Sequence, residues 1–273
     1  EALTTNSTAN NNTAVGYVAL QMATAGNNTA VGYKALQDCS TGSENTAVGT
    51  GALVDLTTGG YNTAVGKDAL NTVSTGQQNT AVGNAALKYY TGNANVAVGN
   101  QALEDCTTGT ANTGIGHDTG RDITTGTNNT AVGKAALSAT TTGDYNTAIG
   151  SLALDANTTA SYSVAIGSGA LGQSTGEKNV AVGHNALHGV TTGIRNIAIG
   201  IDAGNGQSGG NDNVYIGPDC PENAGTSNEV IIYNNSKQAR FQGSDTSWSF
   251  SSDGRDKTNV EDLTLGLNLI SKL

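Results

Sequence analysis

The sequence predicts an all-β fold, a parallel β-solenoid or β-roll of about thirteen coils that are 16 or 17 residues long. Three observations predict this fold. The string Asn-Thr-Ala-Val-Gly or a close variant recurs at a fixed spacing, each repeat carries two glycines, and the residues before the first glycine alternate like a β-strand. A repeat length without insertions indicates coils that stack in register.

The first glycine of each repeat is expected to be structural, because glycine adopts positive φ without a Cβ clash where the chain bends. These glycines are Gly16, Gly32, Gly49, Gly66, Gly83, Gly99, Gly116, Gly133, Gly150, Gly167, Gly183, Gly200 and Gly217. A second glycine follows nine or ten residues later in most repeats, as at Gly59 and Gly76, and the same reasoning predicts a second bend there.

The strand of each coil has a period of two, which places alternate residues on opposite faces. The Thr or Val position and the Val or Ile position, such as Thr46 and Val48, are expected to pack inside the coil. The intervening alanine, such as Ala47, is expected to face outward against another chain. Asparagines and threonines that recur at one position are expected to form hydrogen-bonded ladders along the stack.

Composition and charge disfavour several classes of protein. The chain has 38 glycines, 4% aromatic residues and a net charge of -10, too few large side chains for a thick globular core and too few cations for nucleic acid. The sequence contains no apolar run that is long enough to predict a membrane-spanning segment. Neither a cofactor nor a metal site is expected, since the histidines and acidic residues are scattered.

The repeats resemble the head of trimeric autotransporter adhesins, whose coils carry Asn-Ser-Val-Ala-Ile-Gly in a parallel β-roll. Tyr162-Ser163-Val164-Ala165-Ile166-Gly167 differs from that motif at one position. The resemblance covers residues 1–217, the predicted solenoid shaft, which begins inside a coil. It implies a homotrimer, with the three chains in contact through the alanine-lined face.

A second resemblance begins after a degenerate β segment at 218–250. Residues 251–273 contain Ser252-Asp253-Gly254-Arg255-Asp256-Lys257, which is similar to the opening of the intramolecular chaperone auto-processing domain of phage tail fibres. That resemblance implies self-cleavage between Ser252 and Asp253, with Ser252 as the nucleophile and Lys257 as the general base. About twenty residues follow Ser252, so the domain is expected to be cut short and inactive in this chain.

Together these features predict a structural and adhesive protein, the shaft of a trimeric phage tail fibre located in the virion. The alternative is a trimeric adhesin fibre on a bacterial cell surface, and an ice-binding solenoid is a third reading because threonine recurs at one strand position. A glycan-cleaving enzyme is disfavoured because no paired carboxylates recur. The partners expected are sister chains and a host receptor or glycan.

Isolated side chains add few further sites. Cys39 and Cys106 occupy the same coil position four coils apart, so they are expected to be unpaired thiols on the rim. Tyrosines such as Tyr61, Tyr145 and the pair Tyr89-Tyr90 are expected on the surface, where they could contact sugars.

Overall fold

The structure is a computed structural model that describes residues 1–4, 9–206, 208–221, 225–234, 237–243 and 249–251. Within those ranges the regular elements are β-strands and none is a helix, which confirms the predicted all-β solenoid. Thirteen short strands follow one another along the chain, one per coil, and three further strands come after them. The thirteen are β1 (Thr13–Val15), β2 (Thr29–Val31), β3 (Thr46–Val48), β4 (Thr63–Val65), β5 (Thr80–Val82), β6 (Val96–Val98), β7 (Thr113–Ile115), β8 (Thr130–Val132), β9 (Thr147–Ile149), β10 (Val164–Ile166), β11 (Val180–Val182), β12 (Ile197–Ile199) and β13 (Val214–Ile216).

All strands belong to one sheet in which their spatial order equals their order in the chain. Neighbours pair in parallel with equivalent residues opposite each other, as Thr46 pairs with Thr63 and Ala47 with Ala64. The turns are stacked as well, since the N–H of Leu53 donates to the carbonyl of Ala69 at 3.0 Å. Because bends and strands both bond to the next coil, an insertion of several residues in one coil would disrupt this bonding, which accounts for a repeat length that stays at 16 or 17 residues.

The last three strands are β14 (Glu229–Asn234), β15 (Lys237–Gln242) and β16 (Ser249–Ser251). β14 still pairs in parallel with β13, with Val230 opposite Val214. β15 then pairs antiparallel with β14 on one side and with β16 on the other. The parallel stack thus continues for one strand beyond Gly217 and then passes into a meander. Of the predicted start of a chaperone domain at 251–273, only Ser251 lies among the described residues.

The prediction of which strand face is inside was wrong. The central alanines, such as Ala47 and Ala64, are fully buried within one chain, whereas Val48 and Val65 are exposed. The reason is space, because most coils are filled by the Ala-Leu pair that follows the first glycine, and Leu53 and Leu70 are also fully buried. At Gly114, which replaces the alanine, a Cβ would lie 2.9 Å from Cγ of Leu103, so the strand has room for little more than a methyl group.

The first glycines do adopt positive φ, for example 140° at Gly32. The prediction that the second glycines are also needed for positive φ at a bend was wrong. Gly76 is not in the left-handed region, and a Cβ there would lie 2.5 Å from the carbonyl oxygen of Gly92 in the next coil. The second glycines are therefore required by the close approach of stacked coils. Most of the other bends are made by residues with side chains, including Asp68 at φ 55° and Leu70 at φ 50°.

Candidate functional site

The largest candidate site is a continuous surface that we call the outer face, formed by the first and third side chains of β1 to β13. These side chains are all Thr, Val or Ile, so this part of the sheet surface carries no charge. The aliphatic members are half-buried or exposed in the single chain, with 41% exposure at Ile115 and 46% at Ile199. An apolar surface of this extent is typical of a contact with another protein surface.

Behind the strands runs a ladder of mostly buried asparagines, which lie directly before the first strand residue of each coil except at β10, where Ser163 takes the position. The Oδ1 of Asn28 accepts from the backbone N–H of Asn45 at 3.0 Å, and the Nδ2 of Asn45 donates to the carbonyl of Gly59 at 3.0 Å. This confirms the predicted asparagine ladder. A second ladder uses hydroxyls in the turn before the second glycine, where Oγ1 of Thr57 donates to the carbonyl of Ser74 at 2.9 Å.

The asparagine ladder ends at Glu229, which occupies the asparagine position in β14. The Glu229 N–H donates to Oδ1 of Asn213 at 2.9 Å, and its fully buried carboxylate pairs with Nε of Arg240 in β15. Oγ1 of Thr226 also donates to this carboxylate at 3.2 Å. The meander therefore supplies the cation that neutralises the last rung of the ladder.

Cys39 and Cys106 are free thiols, as predicted, but their placement on the rim was wrong because both are fully buried. Their coil position points into the core and accepts side chains of different size, such as Leu56, Tyr90 and Ile123. Burial raises the pKa of the Cys39 thiol to about 11 and that of the Cys106 thiol to about 12. Neither thiol is therefore a nucleophile near neutral pH, because only the thiolate reacts.

Metal-ligand residues are scattered over the described part of the chain. Within the described ranges no group of three His, Cys, Asp or Glu side chains has the geometry to hold a metal ion. His117 instead pairs with its neighbour Asp118, with Nδ1 2.8 Å from Oδ2. Cys220 is buried and lies 3.7 Å from the carbonyl oxygen of Ile231.

Four of the surface tyrosines form two stacks between neighbouring coils, whereas Tyr61 and Tyr89 are exposed without a ring partner among the described residues. The rings of Tyr145 and Tyr162 lie parallel with centroids 5.3 Å apart, and Tyr17 stacks on Tyr33 at 5.9 Å. Each ring thus covers one face of its partner, which leaves less ring surface for a sugar. The expectation that Tyr89 and Tyr90 form an exposed pair was half wrong, since Tyr90 is fully buried in the core.

The residues predicted to carry self-cleavage, Ser252, Asp253 and Lys257, lie outside the described residues. The structure therefore adds no geometry to that prediction. The outer face, by contrast, was missed by sequence reasoning because its side chains were assigned to the interior. The signal that could have found the outer face is size, since the inner position is alanine in most strands, and alanine is the smaller partner in the strand alternation and fits the thinner space.

In the part of the chain that the structure describes, no helix has the length and apolar character needed to cross a bilayer. No protein-family model, curated protein or solved structure matched the chain.

Proposed function

We propose that this chain is the shaft of a fibre in which copies associate side by side through the outer face. The observation that carries this proposal is an uncharged Thr, Val and Ile surface that runs the full length of a stacked β-solenoid. Thirteen strands spaced by about 4.8 Å give a rod roughly 60 Å long. The shaft has a structural role, and its stability is a sum of contacts between neighbouring coils.

The area of the outer face is appropriate for self-association. A surface roughly 60 Å long and about 10 Å wide, from three strand residues at about 3.3 Å each, covers on the order of 600 Å². That equals the upper end of the largest patches on monomers, about 300–600 Å². A standard interface uses about 800 Å² per partner, so the face supplies most of one interface.

The resemblance to trimeric adhesin heads supports three as the number of chains, with one correction. The face that meets the sister chains is the Thr and Val or Ile face, because the alanines that were expected there are in the core. Contact through this face leaves the charged turns in solvent, where the net charge of -10 keeps the fibre soluble.

A cysteine scan tests the self-association. Val48→Cys places a thiol on the outer face, whereas Asp55→Cys places one on an exposed turn of the same coil. Because the three native thiols are buried, a short thiol-reactive cross-linker acts on the introduced thiol. We expect covalent oligomers from Val48→Cys and none from Asp55→Cys. Equal cross-linking at the two positions, or none at either, contradicts association through the outer face.

For the location of the fibre we propose the phage virion, with a precursor that releases a C-terminal chaperone by self-cleavage. The motif from Ser252 to Lys257, placed after a fibre repeat, supports this assignment. A serine hydroxyl needs a nearby base to become nucleophilic, and a desolvated lysine can supply it. Expression of the complete gene tests the step: mass spectrometry should find a product that ends at Ser252, and Ser252→Ala should abolish it while Ser251→Ala does not. An intact wild-type product contradicts the assignment.

The alternative location is the surface of a bacterial cell, where the same shaft would display an adhesive tip. Immunogold labelling separates the two locations. Label on isolated virions supports the tail fibre, whereas label on cell envelopes without virions supports the adhesin.

One observation favours a second function, ice binding. Threonine occupies the first outward position in β1 to β5 and in β7 to β9, and this column lies on the outward side of the strands, half-buried or exposed, rather than in the core. A regular outward threonine array is the surface that an ice-binding solenoid presents. Thermal hysteresis of the purified protein tests this function, and freezing at the melting point contradicts it.

A further inference from the structure

The outer face changes character along the rod. In β1 to β9 the first outward position is threonine, with the exception of Val96 in β6. In β10 to β13 both outward positions of each strand are aliphatic, and the same holds for the two residues of β14 that pair with the outward positions of β13. This pattern holds through β14, and the ten side chains are Val164, Ile166, Val180, Val182, Ile197, Ile199, Val214, Ile216, Val230 and Ile232.

These ten side chains, which we call the aliphatic zone, are at least partly exposed in the single chain. Ile197 is 38% exposed at the position where earlier coils carry threonine, and Ile232 is 45% exposed. The zone continues into the meander, because Phe241 of β15 lies opposite Val230 and Ala239 opposite Ile232 in the antiparallel pairing. A contiguous aliphatic surface in water is unfavourable, at roughly 25 cal/mol per Å² of apolar area.

Valine and threonine have nearly the same shape, so the change at β10 alters polarity and leaves the geometry of the face unchanged. Parallel registry continues without a break from β9 to β10, with Thr147 opposite Val164. The backbone therefore gives no reason for the replacement of threonine. What differs is the free energy gained when a partner covers the position, because a buried hydroxyl requires a hydrogen bond and a methyl group does not.

A second copy of this chain is the occupant that fits the zone. Two outer faces have the same spacing between strands, so their side-chain columns can pack in register over many coils. Neither face carries a charge, so contact avoids the repulsion expected between two chains of net charge -10. The zone also joins the Thr-bearing part of the outer face without interruption, so one interface can include both.

We propose that the aliphatic zone is the principal contact between copies, and that the threonine-bearing part of the outer face contributes less per coil. This proposal rests on the proposed self-association and specifies its strongest part. It implies that copies associate first at the C-terminal end of the stack and then align toward β1.

The chain offers a matched test. A zone variant carries four Val→Thr substitutions that restore the residue found at the first outward position of earlier coils, at Val164, Val180, Val214 and Val230. A control variant carries four Val→Thr substitutions on the outer face of β2 to β5, at Val31, Val48, Val65 and Val82. Far-UV circular dichroism establishes that both variants keep the β-sheet.

Sedimentation equilibrium over a range of concentrations then gives the dissociation midpoint of each full-length protein. We expect the midpoint of the zone variant to be at least tenfold higher than that of the control variant. Equal shifts, or a larger shift in the control, overturn the proposal but leave self-association standing. A wild-type protein that stays monomeric at all concentrations contradicts the proposed function itself.

Discussion

Each coil bends at residues in the left-handed region, and only one of the four is regularly glycine. In one coil these residues are Tyr61, Gly66, Asp68 and Leu70. A left-handed residue with a side chain costs roughly 1–2 kcal/mol. Leucine at such a position is offset by complete burial of its side chain. Sequence reasoning could not find these bends, because neither leucine nor tyrosine is a turn signal.

The second glycine column allows a test of close stacking without an effect of positive φ. Gly76→Ala places a methyl group 2.5 Å from the Gly92 carbonyl oxygen, which forces the two coils apart. We expect a loss of about 1–3 kcal/mol of stability, as for overpacked sites. Chemical denaturation monitored by circular dichroism measures it.

Gly209→Ala is the matched control, since the nearest atom to its added Cβ is Oγ1 of Thr192 at an ordinary 3.5 Å. Its stability should be unchanged or slightly higher, because alanine restricts the unfolded chain. Equal effects of the two substitutions would show that the coils are not in close contact at Gly76.

The buried thiols predict a pH dependence in the alkaline range. Burial raises the pKa of Cys39 from 9.0 to about 11, so the folded state holds its proton more tightly than the unfolded state. The stability that depends on the neutral thiol is complete below about pH 9 and is lost as the pH rises toward about 11.

Cys39→Ala removes this dependence and keeps the fold, since Ala23 occupies the equivalent position one coil earlier. Melting temperatures at pH 8 and pH 10.5 should differ more for the wild type than for the variant. Parallel curves would mean that the thiol is accessible to water in the folded protein.

At the scale of the strand, the sequence predicts that side chains alternate between two faces, but it does not predict which face points into the core. The alternation in Thr-Ala-Val indicates that Thr46 and Val48 lie on the same face of the strand, but it does not indicate whether that face is buried. Hydrophobicity favoured the larger residues, whereas the leucine column leaves little space at the inner strand position, as Leu103 does at Gly114.

One exception in the repeat shows the same limit on volume. In β13 the inner position is Tyr215, and the coil before it has Gly204 where leucine is usual. A Cβ at Gly204 would lie 2.6 Å from Cδ2 of Tyr215, so the ring fills the space of the missing leucine. Gly120 also stands in the leucine column, but the next strand has Ala131 at its inner position, so a glycine there does not by itself predict a larger inner residue.

The transition from solenoid to meander depends on the ion pair between Glu229 and Arg240. Arg240→Ala leaves a fully buried carboxylate without its cation, and we expect a loss of about 3 kcal/mol in the free energy of unfolding. Adding Glu229→Gln to this variant should recover part of the loss, since an amide needs no counterion.

Arg195→Ala is the comparison, because Arg195 makes an exposed pair with Asp212 and such solvent-screened pairs contribute little to stability. Denaturant titrations of the three variants measure these differences. If Arg240→Ala and Arg195→Ala have the same stability, Glu229 is neutralised by another group.

At the scale of the whole molecule, the repeat in the sequence was sufficient for the fold class. Constant spacing of glycines such as Gly66 and Gly83 predicted a stack in register, and the parallel pairing of β4 with β5 confirms it. The meander was not predictable in the same way, since its strands occur once and have no period. The virion assignment stays a prediction, because it depends on Ser252 and Lys257.

The mass of the native particle tests the central claim most directly. Three chains of 27.3 kDa give 3 × 27.3, or about 82 kDa, for a rod whose outer faces are covered by sister chains. Native mass spectrometry or light scattering of the purified protein measures this quantity. We predict a particle of three chains, and a single chain of 27.3 kDa at all concentrations would contradict the account.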